Sequence, residues 1–292
     1  MQKRSVGGII FDCFNYLFMA AIIVIMIIPF IFVLNGSIVS EREFILSGGV
    51  ILIPRSFSLN VYDFLFREGS ILPSFFLSLA RIAVGVPLSL LLTTILAYAL
   101  TKKKMPGYGA LMVFLVFNMY FNGGLVPFLL MVRDIKVYNT FWMYVLPSAV
   151  SIFNALLLRN FFNTIPETLS ESARIDGASE FVILFRIILP LSVPGIVTIG
   201  MFSAVAHWND WFTGIAYMAQ DRVLPLQTYL RKMIAITGLQ LDAMGATADM
   251  IPPLPDTIKM GAIIITTLPI ICVYPFAQKY FIKGLLIGAV KD

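Results

Sequence analysis

Six long stretches of this chain contain no charged residue. Each has 19 to 28 residues, and a helix that crosses the hydrocarbon core of a bilayer needs about 20 mostly apolar ones. Polar and apolar positions do not alternate in these stretches, as they would in the strands of a membrane barrel. Backbone groups in lipid must be hydrogen-bonded within their own segment, so the pattern predicts membrane helices. The uncharged stretches are 13–40, 82–101, 105–132, 137–158, 187–209 and 260–278.

The predicted fold class is an all-α integral membrane protein with six transmembrane helices and a short cytoplasmic helix between spans four and five. The whole chain, 1–292, is expected to form one transmembrane domain. The predicted spans are approximately 13–34, 74–101, 107–132, 138–159, 183–207 and 260–282, and the short helix with its corner is 167–178.

The composition agrees with a membrane protein and excludes other classes. Hydrophobic residues make up 59% of the chain and charged residues 13%, whereas a soluble domain has about 45–50% and about 25%. So little charge excludes a soluble cytosolic enzyme and a disordered chain. Lys and Arg are denser on the side of the N-terminus, so the positive-inside rule places both termini in the cytoplasm. The same bias explains the net charge of +5 without a nucleic-acid partner.

The connection between spans four and five has the local signals of a short helix. Pro166 suits a first helical turn, Glu167 suits the positive end of the helix dipole, and Gly177 is a natural stop. Glu171 and Arg174 lie three residues apart and are expected to pair.

One tight corner joins this helix to span five, so it would form a rigid knob whose side chains fit a groove on a cytoplasmic partner. The alternative is a helix lying on the bilayer, which requires a strong apolar face and several lysines. The segment has neither.

The same segment resembles a known signature, that of the inner-membrane permease subunits of ABC importers. Seven specified positions over 20 residues are similar, and the single departure is a serine, also small, where the signature has a second alanine. The residues that carry the resemblance are Glu171, Ser172, Ala173, Gly177, Ile187, Leu189 and Pro190.

The resemblance extends over nearly the whole chain and narrows the family. The segments 208–210, 224–226 and 279–291 resemble the carbohydrate-uptake branch, and within it the smaller maltose-type permease. The segments 122–127 and 165–179 are similar to a subgroup associated with complex oligosaccharides.

The resemblance implies a permease subunit of an ATP-driven importer that translocates an oligosaccharide across the bacterial cytoplasmic (inner) membrane. It implies a second, different permease subunit, two cytoplasmic ATPase subunits that bind ATP and Mg, and an extracytoplasmic solute-binding protein. The segment 167–178 would be the coupling helix that docks in a cleft of the ATPase. Its implied coupling residues are Glu171, Ser172, Ala173, Arg174, Asp176 and Gly177.

The chain itself has no motif of an ATPase or of another enzyme. It lacks a phosphate-binding G-x-x-x-x-G-K-[ST] loop and an H-E-x-x-H motif, and His207 is its only histidine. We therefore expect no catalytic residue, no metal site and no cofactor bound by this chain, with energy supplied by a partner.

Planar amides and aromatic rings near the spans are the candidates for the substrate path. Sugars stack on flat rings, and amides in a membrane are costly unless they face protein or water. Asn118 and Asn122 lie one helical turn apart and would face the same way. The alternatives are an interfacial aromatic belt for the tryptophans and a hydrogen bond between helices for Asn154. The candidates are Asn118, Tyr120, Asn122, Asn154, Trp208 and Asn209.

Two features of the outer side leave alternatives open. Arg81, near the outer end of span two, could extend its head to water or meet an acidic sugar. The outer segment 208–259, which contains three prolines at 252–255, is expected to engage the binding protein, with a passive connector as the alternative.

The alternative function is a stand-alone secondary sugar carrier. Such carriers often bind coupling ions at acidic residues near mid-membrane, and the uncharged stretches offer none, with Asp12 only at an edge. An intramembrane enzyme would need catalytic groups at depth, and the sequence shows none.

Overall fold

The computed structural model describes residues 6–67, 69–121, 123–219, 223–243 and 254–289, and every regular element in these ranges is helical. The chain divides into two units, Met1–Ile71 with Lys232–Pro269, and Leu72–Arg231 with Ile270–Asp292. The α-helices are α1 (Val6–Ile38), α2 (Glu41–Leu46), α3 (Asn60–Arg67), α4 (Ile71–Ala99), α5 (Tyr108–Tyr120), α6 (Leu125–Asp134), α7 (Ile152–Phe162), α8 (Glu167–Ile175), α9 (Glu180–Ile183), α10 (Leu189–Leu191), α11 (Val193–Asn209), α12 (Phe212–Tyr217), α13 (Leu226–Ala243) and α14 (Pro255–Ala289). Phe141–Tyr144 forms a 3₁₀ turn and Leu184–Ile188 a π-helical turn.

The first unit joins a long apolar helix, α1, to a folded loop. Ser40 begins α2 by accepting a hydrogen bond from the backbone N–H of Glu43 (3.4 Å). The Glu43 carboxylate in turn accepts hydrogen bonds from the backbone N–H groups of Arg55 (2.8 Å) and Ser56 (2.7 Å). These bonds close the loop that follows α2. Phe44 and Ile51 are buried beneath it against Met260.

In the second unit, α4 packs closely along α11. A Cβ atom at Gly85 would lie 2.5 Å from Nε2 of His207, so only glycine allows this approach. The hydroxyl groups of Ser89 and Ser203 are 3.3 Å apart. Small residues therefore bring the two helices together, which is common where helices pack in membranes.

Three predicted spans are not single straight helices. The expected helix 107–132 ends at Tyr120 and resumes as α6, with axes 113° apart. The break contains Gly124 with a positive φ of 91°, which favours glycine. The expected helix 183–207 bends by 87° between α10 and α11. Pro190 and Pro194 flank this bend, and each proline removes a backbone donor.

The expected helix 138–159 is also corrected. Only the 3₁₀ turn at Phe141–Tyr144 and α7 are helical there, with Pro147 in the irregular chain between them. The limits of these three predicted spans follow from the absence of charged residues. The absence of charge does not distinguish a continuous helix from a broken one.

Three helical segments of the described chain are long and apolar enough to cross a membrane: Ile10–Ile38, Ile71–Ala99 and Pro255–Pro275. The number rises to as many as five if each of the two bent pairs counts as one span. The all-helical fold agrees with the sequence, whereas the count of six spans stays a prediction.

Candidate functional site

The segment predicted to couple to a partner contains α8, between Pro166 and a glycine corner. Glu167 opens its first turn, and Gly177 follows its end with φ 82°. The backbone N–H of Ala178 donates to the carbonyl of Ala173 (2.9 Å), which closes the corner. Local sequence therefore dictates both ends of this helix.

The residues of α8 divide between a packed face and an exposed face. Ala173 packs on the buried cluster around Leu158 and Ile183. Ile175 is 86% exposed, the largest exposure of any apolar side chain on this helix. The exposed members of the predicted coupling set are Glu171, Ser172, Arg174, Asp176 and Gly177.

Arg174 does not form the expected pair with Glu171. Its Nε donates to the carboxylate of Glu180 (2.8 Å), just beyond the glycine corner. This hydrogen bond raises the pKa of Arg174, so the guanidinium stays charged. The Glu180 carboxylate also accepts from the Lys102 ammonium (3.0 Å) and from the hydroxyl of Tyr98.

We call these four residues, Glu180, Tyr98, Lys102 and Arg174, the Glu180 cluster. Tyr98 lies on α4 and Lys102 just after it, so the cluster ties α8 to the end of α4 as well as to the start of α9. A cavity of about 140 Å³ lies beside the cluster and is also lined by Ser170 and Asn163. Sequence reasoning missed Glu180 because its partner Tyr98 lies 82 residues away.

A second polar group of side chains surrounds Arg81 on α4. Arg81 is only 2% exposed. Its Nε donates to the Tyr144 carbonyl (3.2 Å) and to Nδ1 of His207 (3.1 Å). Its terminal nitrogens donate to the Asp210 carbonyl (3.2 Å) and form an ion pair with the Asp210 carboxylate. We call Arg81, Tyr144, His207 and Asp210 the Arg81 cluster.

Of the two alternatives left open for Arg81, a head group extended to water is wrong, because the side chain is buried and paired with Asp210. A buried charge is tolerated when it is paired and hydrogen-bonded, and Asp210 with two carbonyl groups supplies this environment. The same contacts give His207 a structural partner, and its ring lies against Gly85.

The chain that follows α11 is fixed by several further contacts. Asp210 Oδ1 accepts from the backbone N–H of Thr213 (3.1 Å) at the start of α12. The Thr228 hydroxyl donates to the Trp211 carbonyl (3.0 Å), which attaches α13 to this turn. The guanidinium carbon of Arg231 lies 3.7 Å from the centroid of the Trp211 ring.

The candidates for the substrate path lie on three helices. Asn118 and Tyr120 are exposed on α5, and the Asn118 amide donates to the Phe114 carbonyl (3.1 Å). Asn122, its predicted companion, lies outside the described residues. Asn154 is buried in the first turn of α7.

Trp208 and Asn209 end α11. Trp208 is 6% exposed and meets the Phe75 ring edge to face at 6.0 Å, so its faces are not open to a sugar. Asn209 is exposed. Whether these candidates contact a sugar stays a prediction. Among the described residues, no group of three His, Cys, Asp or Glu side chains could hold a metal ion.

The helical fold and the long apolar helices show that the chain is an integral membrane protein. The chain is 39% identical over 283 residues to the polygalacturonan/rhamnogalacturonan transport system permease protein YtcP of Bacillus subtilis, covering 97% of this chain and 98% of that protein. It is 38% identical over 290 residues to Protein LplC of the same organism, covering 99% and 98%. No family model matches.

A solved structure supports the same family as these two relatives. The chain matches a bacterial ABC transporter involved in the import of the acidic polysaccharide alginate with a TM-score of 0.81 and 27% identity, covering 96% of this chain and 100% of that one. The chain belongs to the family of ABC-transporter sugar permeases.

Proposed function

We propose that this chain is the permease subunit of an ATP-driven importer that translocates an oligosaccharide across the cytoplasmic membrane. The observation that carries the proposal is the exposed face of α8, which is held to two other helices by the Glu180 cluster. A helix that presents side chains to a partner, and that cannot shift independently of the chain behind it, is suited to transmit force.

The proposed force comes from partner subunits. Two cytoplasmic ATPase subunits hydrolyse ATP with Mg, and α8 with its corner, 167–178, docks on one of them. A second, different permease subunit completes the pathway, and an extracytoplasmic binding protein delivers the sugar. This chain binds no cofactor itself.

The positions of the two polar clusters support a transmembrane orientation. Arg81 and Tyr98 lie about 26 Å apart along an ideal helix, close to the hydrocarbon thickness of about 30 Å. The Glu180 cluster would therefore face the cytoplasm, with both termini on that side, and the Arg81 cluster would lie near the outer surface. The bias of Lys and Arg in the sequence favours the same orientation.

On this account the chain after α11 lies at the outer mouth of the pathway. We expect the segment 208–259, of which part lies outside the described residues, to engage the binding protein. Two similar proteins, a polygalacturonan/rhamnogalacturonan transport permease and a transporter involved in the import of alginate, support an oligosaccharide as the substrate.

Reconstitution tests the proposal and its alternative. The chain alone and the complete importer, with both permeases, the ATPase and the binding protein, are placed in liposomes. We expect ATP-dependent uptake of a labelled oligosaccharide only with the complete importer. Uptake by the chain alone, driven by an ion gradient, would establish the secondary carrier instead.

A further inference from the structure

One arginine on α13 is held over the ring of Trp211, which follows α11. The Arg231 guanidinium lies over the Trp211 ring at 3.7 Å, and the side chain is exposed. In the described ranges, no carboxylate forms an ion pair with it. Stacking restricts the guanidinium plane but leaves its N–H donors at the edge free to bind.

The support beneath this arginine is rigid. Trp211 follows Asp210, which is anchored by the buried ion pair to Arg81. The Thr228 hydroxyl holds the Trp211 carbonyl (3.0 Å), and a Cβ atom at Gly214 would lie 2.5 Å from the Thr228 hydroxyl, so α12 and α13 are in close contact. A recognition group held by such contacts binds with less loss of side-chain entropy.

The chemistry of this arrangement suits a carboxylate. A guanidinium binds a carboxylate through two parallel hydrogen bonds, which gives both strength and direction. Asn209, exposed two residues before Trp211, adds an amide that can hydrogen-bond a sugar hydroxyl. A neutral sugar can accept hydrogen bonds from the guanidinium but has no carboxylate to form the two parallel, charge-assisted bonds.

We propose that Arg231, oriented by Trp211, binds the carboxylate of a uronic acid residue in the transported oligosaccharide. The proposal rests on the proposed function, and it assigns the charge preference to a particular site. Arg231 contacts substrate, whereas Trp211 and the Arg81–Asp210 pair act as positioning residues.

The test uses Trp211 as its own reporter. Trp142→Phe and Trp208→Phe leave Trp211 as the last of the three tryptophans in the full chain, which is placed in lipid nanodiscs. The probes are trigalacturonate and its methyl ester, which has the same length but no charge. We expect a saturable change of Trp211 emission with trigalacturonate and none with the ester.

Variants of the arginine separate binding from packing. Arg231→Met should abolish the response, and Arg231→Lys should weaken the affinity on the order of tenfold, because lysine cannot form the two parallel bonds. The matched control is Arg133→Met, since Arg133 also lies over an aromatic ring, Tyr138, at 4.7 Å. This control should keep the response.

Three results would overturn the subsite: an equal response to both probes, no response at all, or a response that survives Arg231→Met. If Arg231→Met weakens docking of the binding protein while the sugar gives no signal, the guanidinium binds a protein carboxylate instead. Should the Trp208→Phe chain not fold, the Trp211 signal is the difference between the native chain and Trp211→Phe.

Uptake by the complete importer distinguishes this failure from failure of the proposed function. ATP-dependent uptake without a Trp211 response removes the subsite alone. Absence of any ATP-dependent oligosaccharide uptake removes the proposed function.

Discussion

The Glu180 cluster fastens the end of α4 to α8 and α9, whereas the Arg81 cluster fastens α4 to the end of α11. The two clusters lie in opposite environments. The Glu180 side chain is 50% exposed and accepts hydrogen bonds from Tyr98, Lys102 and Arg174. Arg81 is buried and gathers acceptors from three other segments. Solvent screens an exposed ion pair, which contributes about 0–1 kcal/mol, whereas loss of one partner of a buried pair costs about 3–5 kcal/mol.

The comparison indicates different roles for the two ends of α4. A screened cluster contributes little to the stability of the fold, so the role of the Glu180 cluster is to make α8 move together with α4 and α9. A buried ion pair holds its helices in one arrangement. We therefore expect substitutions in the Arg81 cluster to reduce stability and substitutions near Glu180 to reduce coupling.

Arg81→Met should have the largest effect on stability. It leaves Asp210 charged without its cation, and because the Asp210 side chain is 24% exposed we expect a cost near the lower end of the range for buried pairs, about 3 kcal/mol. The melting temperature of the purified chain should therefore fall clearly. The control Arg133→Met removes an exposed cation over an aromatic ring, worth about 0.5–1 kcal/mol. Equal losses in both variants would contradict the contrast between buried and exposed pairs.

Gly177→Val should affect coupling more than stability. Open space surrounds a Cβ atom at this position, so the strain comes from φ 82° alone. A left-handed backbone costs a branched residue about 1–2 kcal/mol, so we expect the corner to relax and to move α8 out of the position that fits its partner. ATP-driven uptake by the complete importer should fall accordingly.

The matched control for this corner is Gly109→Val. Gly109 also has open space around its Cβ position, but its backbone is not left-handed. The control variant should transport normally. Normal uptake by Gly177→Val itself would remove the coupling role of 167–178.

Glu180→Gln should reduce coupling by a smaller factor. Its ion pairs with Lys102 and Arg174 are half exposed, so stability should change by less than about 1 kcal/mol. We expect the ratio of sugar transported to ATP hydrolysed to fall by at most roughly fivefold, since 1 kcal/mol corresponds to about fivefold in an equilibrium. The control is Asp256→Asn, which breaks another exposed pair, with Lys259 at 2.9 Å. A large drop in melting temperature with an unchanged ratio would reverse the roles of the two clusters.

Glu43 should show the smallest effect, which depends on pH. Hydrogen bonds from the Ser56 hydroxyl and the Arg55 backbone lower the pKa of Glu43 below its ordinary value of 4.5. Since the folded pKa is lowered, the stabilisation is present above pH 4.5 and is lost as pH falls through the folded pKa. Hydrogen exchange at the Arg55 and Ser56 amides should accelerate there, and Glu43→Gln should remove this dependence on pH.

Signals in the local sequence predict where α8 begins and ends. Contacts between residues far apart in the sequence could not be predicted in this way. Pro166, Glu167 and Gly177 lie at the ends of α8 and set its limits. By contrast, Arg81 and Asp210 are 129 residues apart, and no local pattern relates them. Glycine and proline in the uncharged stretches indicate the breaks near Gly124 and Pro194. The predicted spans did not include these breaks, because their limits were based on the absence of charge alone.

Cross-linking at Ile175 tests the central claim that α8 docks on an ATPase subunit. Ile175→Cys, in a chain with Cys13→Ser and Cys272→Ser, is assembled into the complete importer and treated with a short thiol cross-linker. The control is Ile53→Cys, which is similarly exposed in the loop after α2. Our account predicts a cross-link from residue 175 to the ATPase subunit and none from residue 53. A cross-link from residue 53 but none from residue 175 would contradict both the orientation and the coupling role of α8.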